Sequence, residues 1–210
     1  AVHAVMALGT ISSPFTNAYC LRDLQMSFFG VGCLNAISTV AALACAPLWG
    51  KAVDHYGGRP VLHFSLWVLA PCGLIWLGIP PGRPDLAYRL LPWTNLIAGF
   101  AVSALNVALV TLMYKMTPSQ GRSFQFALYN ILVTLVAAPM PLLGGWLVSR
   151  LQAGGWNVDL RLTFYLWTLF TFLAALCARR IREPDSASTQ RIVFEYLPGR
   201  LALAPGLIWS

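Results

Sequence analysis

The side chains that could do chemistry in this chain are few, and most of them stand where long apolar runs break. The densest group is the string Gly50-Lys51-Ala52-Val53-Asp54-His55-Tyr56-Gly57-Gly58-Arg59-Pro60-Val61-Leu62. Gly50 and Gly57 permit a tight turn between two nearly antiparallel helices, where side chains would crowd. Asp54 can accept charge-assisted hydrogen bonds from Arg59 or from a neighbouring helix start. Elsewhere, single carboxamides interrupt apolar sequence. An Asn buried in hydrocarbon costs free energy unless it has a partner, so each is expected to face protein or water. An interhelical hydrogen bond with no substrate role meets that need as well as a solute does. His3 and His63 are the titratable groups that stand apart from the acids and bases at the ends of the runs. His63 is expected near a membrane boundary, where it needs no special role. No Asp or Glu lies deep within an apolar run, so a buried carboxylate that exchanges protons is not expected.

Other chemistries find no residues to carry them. Cys20, Cys33, Cys45, Cys72 and Cys177 are scattered, with no Cys-x-x-Cys pair, and most sit inside apolar runs. That spacing suggests neither a disulfide framework nor a metal site. There is no His-Glu-x-x-His, no Gly-x-Ser-x-Gly, no phosphate-binding glycine-rich loop with its Lys, and no pair of in-membrane carboxylates. The expectation is a protein that is not an enzyme and carries no cofactor. An intramembrane hydrolase or transferase built from scattered polar residues is the remaining enzymatic alternative.

The elements that hold these residues follow from composition. Of 210 residues, 58% are hydrophobic and 10% charged, with a mean hydropathy of +0.66. A soluble domain carries about a quarter charged residues, and seven acids with fourteen bases cannot cover such a surface. The net charge of +7 does not imply nucleic acid. Its bases sit in short gaps between apolar runs instead of along one stripe, and Arg outnumbers Lys twelve to two. Crossing a bilayer as a helix takes about 20 mostly apolar residues, and a barrel strand about ten. The runs here are helical in length. They predict spans at about 27–50, 61–79, 90–114, 124–148 and 162–178, and a weaker, polar-flecked first span at 1–19. A proline-bearing span of that kind is tolerated where it faces protein or a water-filled cavity. The fold class is therefore an all-α membrane protein of about six transmembrane helices over 1–182. The remaining 183–210 is expected to be a cytoplasmic or membrane-surface tail, broken by Pro198, Gly199, Pro205 and Gly206. The chain opens on Ala1 without a basic leader, so it is expected to begin inside a helix or to belong to a longer protein.

Orientation follows from Lys and Arg. Lys51, Arg59, Lys115, Arg122, Arg179, Arg180 and Arg182 fall on one side. Arg22, Arg83, Arg89, Arg150 and Arg161 fall on the other. The richer side is placed in the cytoplasm, together with the start and the tail of the chain. Tyr56, Tyr88, Trp93, Tyr114, Trp146, Trp156 and Tyr165 cluster near span ends, where amphipathic rings favour the interface.

The spacing Gly50, Asp54, Gly57, Arg59, set after one uninterrupted apolar span and before another, resembles the signature loop of the major facilitator superfamily. Gly58 departs from it, where a second basic residue is usual, as does Pro60. A second, looser likeness is Thr117-Pro118-Ser119-Gln120-Gly121-Arg122, followed by a span with Pro139, Pro141, Gly144 and Gly145. The resemblance implies one six-helix half of such a transporter. The basic stop after the last span and the short tail fit the C-terminal half. It implies transport of a small solute by alternating access across the cell membrane, with the loop acting as a latch. The alternative is a non-transporting or truncated scaffold that only pairs with a partner. It further implies a second six-helix half, either preceding this sequence or supplied by another copy. In the family the first and fourth helices of a half line the cavity and the second and fifth flank it. The candidates are then His3, Thr10, Ser13 and Asn17, next Asn106 and Thr111, and more distantly Asn35 and Asn130.

Overall fold

The computed structural model describes residues 2–117, 121–153 and 160–179, with the side chains of 2–4 and 116 outside that description. All the regular structure described is helical. The first span is segmented: α1 (Val2–Leu8), a 3-10 turn (Gly9–Ser12), α2 (Ser13–Ala18) and a π turn (Tyr19–Asp23). Pro14, in the first turn of α2, has no N–H to give the preceding turn. The Ser13 N–H closes a tighter ring on Thr10 O instead. The second span, α3 (Phe28–Tyr56), starts at Ser27, whose side chain accepts from Gly30 N at 3.0 Å. The third is α4 (Gly58–Gly78) and the fourth α5 (Pro84–Met116), which opens on a proline where no N–H is needed. The fifth is split into α6 (Arg122–Ala137) and α7 (Met140–Ala153), and the sixth is α8 (Arg161–Ala178). Helices α3, α4, α5 and α8, and the joined stretch Arg122–Ala153, are each long and apolar enough to cross a membrane.

Contacts fix the directions of the helices. Ser27 N donates to the Tyr88 hydroxyl at 3.0 Å, and a methyl on Gly99 would overlap the Ser38 carbonyl, so α3 and α5 run side by side in the same sense. Arg59, at the start of α4, reaches the carbonyl of Arg179 at the end of α8, and Arg161 at the start of α8 reaches Ile79 at the end of α4. Those two helices are antiparallel. The first span lies against α8 and against the fifth span, where Gly144 seats on Ile11. Two apolar cores result. One, toward the 50–59 turn, joins Trp49, Val53, Leu62, Leu66, Ala104, Ala108 and Ala175. The other, toward the opposite end, joins Tyr19, Leu24, Leu34, Ile79, Leu91 and Phe164.

The structure departs from the sequence reading at several points. The expected loop at 54–60 shrinks to Gly57 alone, because α3 stays helical through Tyr56 and α4 begins at Gly58. Tyr56, the last residue of α3, is buried in the first core, whereas Trp93, Tyr114, Trp146 and Tyr165 are exposed. The fifth span breaks at Ala138 and Pro139, where Pro139 and Pro141, either side of Met140, remove two donors. Pro118, Ser119, Gln120, Trp156, Arg180, Arg182 and the tail 183–210 lie outside the described residues.

Candidate functional site

At the 50–59 turn the chain reverses within one residue. Gly57 has φ 94° and ψ 164°, a region open to glycine and closed to side chains, and its N–H caps α3 on Val53 O at 2.9 Å. Gly58 abuts α5: a Cβ there would stand 2.8 Å from Leu112 Cγ and 3.2 Å from Ala108 O. The departure at Gly58 thus has a packing cause, since a basic side chain has no room. Gly50 differs. It sits inside α3 with open space where a Cβ would be, so the crowding expected there is absent. Asp54 is exposed in the last turns of α3, and among the described residues it forms no ion pair with Arg59. Arg59 instead sends Nη2 to Arg179 O at 3.1 Å and ties α4 to α8. Nearby, Arg122 closes the end of α5, with Nη2 on Thr117 O at 3.3 Å and its guanidinium 5.6 Å from the Tyr114 ring.

Polar side chains within the spans sort by type and by position. Buried hydroxyls bond back to their own helix: Ser12 to Gly9 O, Ser65 to Leu62 O, Thr94 to Leu90 O, Thr163 to Leu160 O and Thr171 to Trp167 O. A hydroxyl can do this because its one donor reaches a carbonyl a turn earlier. A carboxamide has two donors and an acceptor, and one helix cannot satisfy them all. Asn17, Asn35, Asn106 and Asn130 are all exposed, on α2, α3, α5 and α6 respectively, and Ser13, Thr39 and Thr134 are exposed on the same spans. At about 1.5 Å per residue, Asn35 lies about 10 Å from the start of α3, Asn130 about 12 Å from the start of α6, and Asn106 about 15 Å from the end of α5. Each of the three therefore lies about two turns or more from that end of its helix. The exposed faces of α4 and α8 carry Trp67, Pro71, Leu74, Ile75, Leu169, Phe172, Leu173 and Leu176, with Tyr165 near one end. Exposed carboxamides thus occur within the first, second, fourth and fifth spans, beside exposed apolar side chains such as Val40, Leu43, Ile97 and Leu135, and none is exposed on the third or sixth.

The other candidates divide. Thr10 is half-buried, and its hydroxyl bonds Ala7 O at 2.7 Å and Ala137 O at 3.3 Å, which makes it a tie to the fifth span. Thr111 is half-buried on α5. His3 stands on α1, with its side chain outside the described residues. His63 is half-buried near the start of α4, and its Nε2 accepts from the Trp67 indole N–H at 3.0 Å, which leaves the ring proton on Nδ1.

One cluster escaped the sequence reading. At the end of the bundle opposite the turn, Arg161 Nε donates to the Tyr19 hydroxyl at 2.9 Å, and that hydroxyl donates to Ile79 O at 3.0 Å. Arg161 Nη2 reaches the same carbonyl. The Tyr19 ring meets Phe164 edge-on, with centroids 5.4 Å apart. This clasp joins the first, third and sixth spans where the first span unwinds into its π turn. An Arg opening an apolar span is the one signal of it that the sequence offers.

The Major Facilitator Superfamily family model matches residues 1–207 of the chain. The chain belongs to the Major Facilitator Superfamily. It is a multi-pass membrane protein and a transporter of the major facilitator type, and its helices form an all-α half-bundle of that family. No curated protein matches the chain.

Proposed function

We propose that this protein moves a small solute by alternating access, with Asn17, Asn35, Asn106 and Asn130 contributing to the wall of a water-filled path. The observation that carries the reading is the sorting of exposed polar side chains. Carboxamides are exposed on four spans and are missing from the exposed faces of the other two. Side chains of that kind are retained within spans where they face protein or water. A second six-helix bundle, from a longer chain or from another copy, completes the path on the carboxamide side. Native mass spectrometry of the purified protein distinguishes these: a dimer assigns the second bundle to another copy. The richer Lys and Arg side, which holds the 50–59 turn, faces the cytoplasm of the cell membrane.

In this cycle the turn holds one state closed. Gly57 sets the reversal, Gly58 keeps it against α5, and Asp54 offers an exposed carboxylate to a cation outside these six spans. Asp54→Asn is expected to raise thiol labelling of a cysteine placed at Gln125, toward the turn side of α6. It should lower labelling of one placed at Asn17, toward the other side. The thermal unfolding midpoint is expected to stay put, since Asp54 is exposed. Unchanged labelling at both positions would remove the latch from the account.

A further inference from the structure

On the apolar side of the bundle, between α4 and α8, lies a cleft of about 390 Å³ lined by Trp67, Pro71, Leu74, Tyr165, Leu169 and Phe172. Ordinary small-molecule sites run from about 300 to 1,000 Å³. Gly73 lets the helices close on one another at one level, because a side chain there would strike Thr168 and Trp167. Toward the 50–59 turn, Trp67 stands edge-on to Phe172 with centroids 5.4 Å apart. The same indole is held by its N–H bond to His63 and carries the Arg179 guanidinium 5.7 Å from its centroid. Arg179 directly follows α8, is exposed, and has no carboxylate partner among the described residues. Arg59 is bonded to its carbonyl, which brings a second guanidinium to the same end. The sequence continues with Arg180 and Arg182.

We propose that this cleft binds an anionic phospholipid from the leaflet on the side of the 50–59 turn, with an acyl chain in the cleft and the phosphate at Arg179. The cleft opens on the face whose exposed side chains are apolar, so hydrocarbon is what meets it. Its lining offers an acyl chain a close fit and offers a polar solute almost nothing to bond. The cation stands just past the end of a span, at the depth of lipid phosphates. Guanidinium groups suit phosphate in charge and in geometry, and basic pockets between spans at the membrane surface take anionic headgroups. A headgroup that carries its own cation offsets that attraction, so a net negative lipid is favoured. The site requires only that α4 and α8 span the membrane, and it stands or falls independently of how solute moves.

The test is native mass spectrometry of the full chain in detergent, incubated with phosphatidylglycerol or with phosphatidylcholine of the same acyl chains. One surface cation is worth about five-fold in anionic-lipid binding, so phosphatidylglycerol should be retained about five-fold over phosphatidylcholine. Arg179→Gln should bring the two lipids level. Ala70 also lines the cleft, so Ala70→Phe, which fills it and leaves the cation, should lower retention of both. Equal retention of the two lipids by the unaltered chain, or an unchanged preference in Arg179→Gln, overturns the proposal. Should Arg179→Gln fail to purify as a single species, Trp67→Leu removes the ring that carries the guanidinium. A preference that survives that change overturns the proposal as well.

Discussion

Tyr19, Arg161 and the Ile79 carbonyl show how much a single polar contact can matter inside a bundle of this kind. The Tyr19 hydroxyl is buried and is both acceptor and donor, so its removal leaves the Arg161 Nε without its partner. Leaving one such buried group unmade costs about 1–3 kcal/mol. Tyr19→Phe is therefore expected to lower the thermal unfolding midpoint of the detergent-solubilised protein. Arg161→Lys is expected to lower it further, because an ammonium cannot repeat a planar fork that serves two acceptors. Tyr165→Phe, at an exposed ring, serves as the control. A midpoint unmoved by Tyr19→Phe would show that the clasp contributes nothing. The clasp was illegible in sequence because its partners are 142 and 82 residues apart and only the packed bundle brings them together. Gly57 was legible, because a reversal between two apolar runs demands a residue free of a side chain. Gly58 looked like a lapse from the family pattern and turned out to be fitted to Leu112 and Ala108. Thr10 shows the reverse, a candidate for the solute path that the packed structure ties to Ala137.

At the scale of the element, hydropathy carried most of the information. Uninterrupted apolar runs announced α3, α4, α5 and α8, since a run of that length without charge can serve little else. Helix ends were less legible. The second span continues through charged Lys51 and Asp54 to Tyr56, because backbone hydrogen bonding outlasts the hydrocarbon and stops only where Gly57 stops it. The fifth span is interrupted where Pro139 and Pro141 withhold their N–H groups, while Leu143 N recovers Pro139 O at 3.0 Å. Restoring a donor should let α6 and α7 run together. In Pro139→Ala, spin labels at Gln125 and Ser149 are expected to move apart, as read by pulsed electron resonance in nanodiscs. An unchanged separation would assign the break to packing against the first span through Gly144 and Ile11 instead of to the proline.

For the whole molecule, the central claim is that the bundle has two unlike faces. Most buried hydroxyls conceal themselves by bonding back along their own helices, Thr168 being an exception, so Ser and Thr within a span say little about which way it faces. Carboxamides can do so only in part, as Asn95 does to Leu91 O, and under the proposed function the exposed ones on α2, α3, α5 and α6 face water or a second bundle. The exposed surfaces of α4 and α8 carry apolar side chains and, under the same proposal, meet lipid. The sequence located these Asn residues but not the face they share, which depends on α3 lying parallel to α5 and on the first span leaning against α6, α7 and α8. The measurement that tests this most directly is solvent labelling in native membranes. In a background lacking the native cysteines, single cysteines at Asn35, Asn106 and Asn130 are treated with a water-soluble maleimide, beside cysteines at Leu74 and Leu169. The two-faced bundle predicts labelling at the three Asn positions and none at the two Leu positions. Labelling at Leu74 and Leu169 with none at the Asn positions would contradict it.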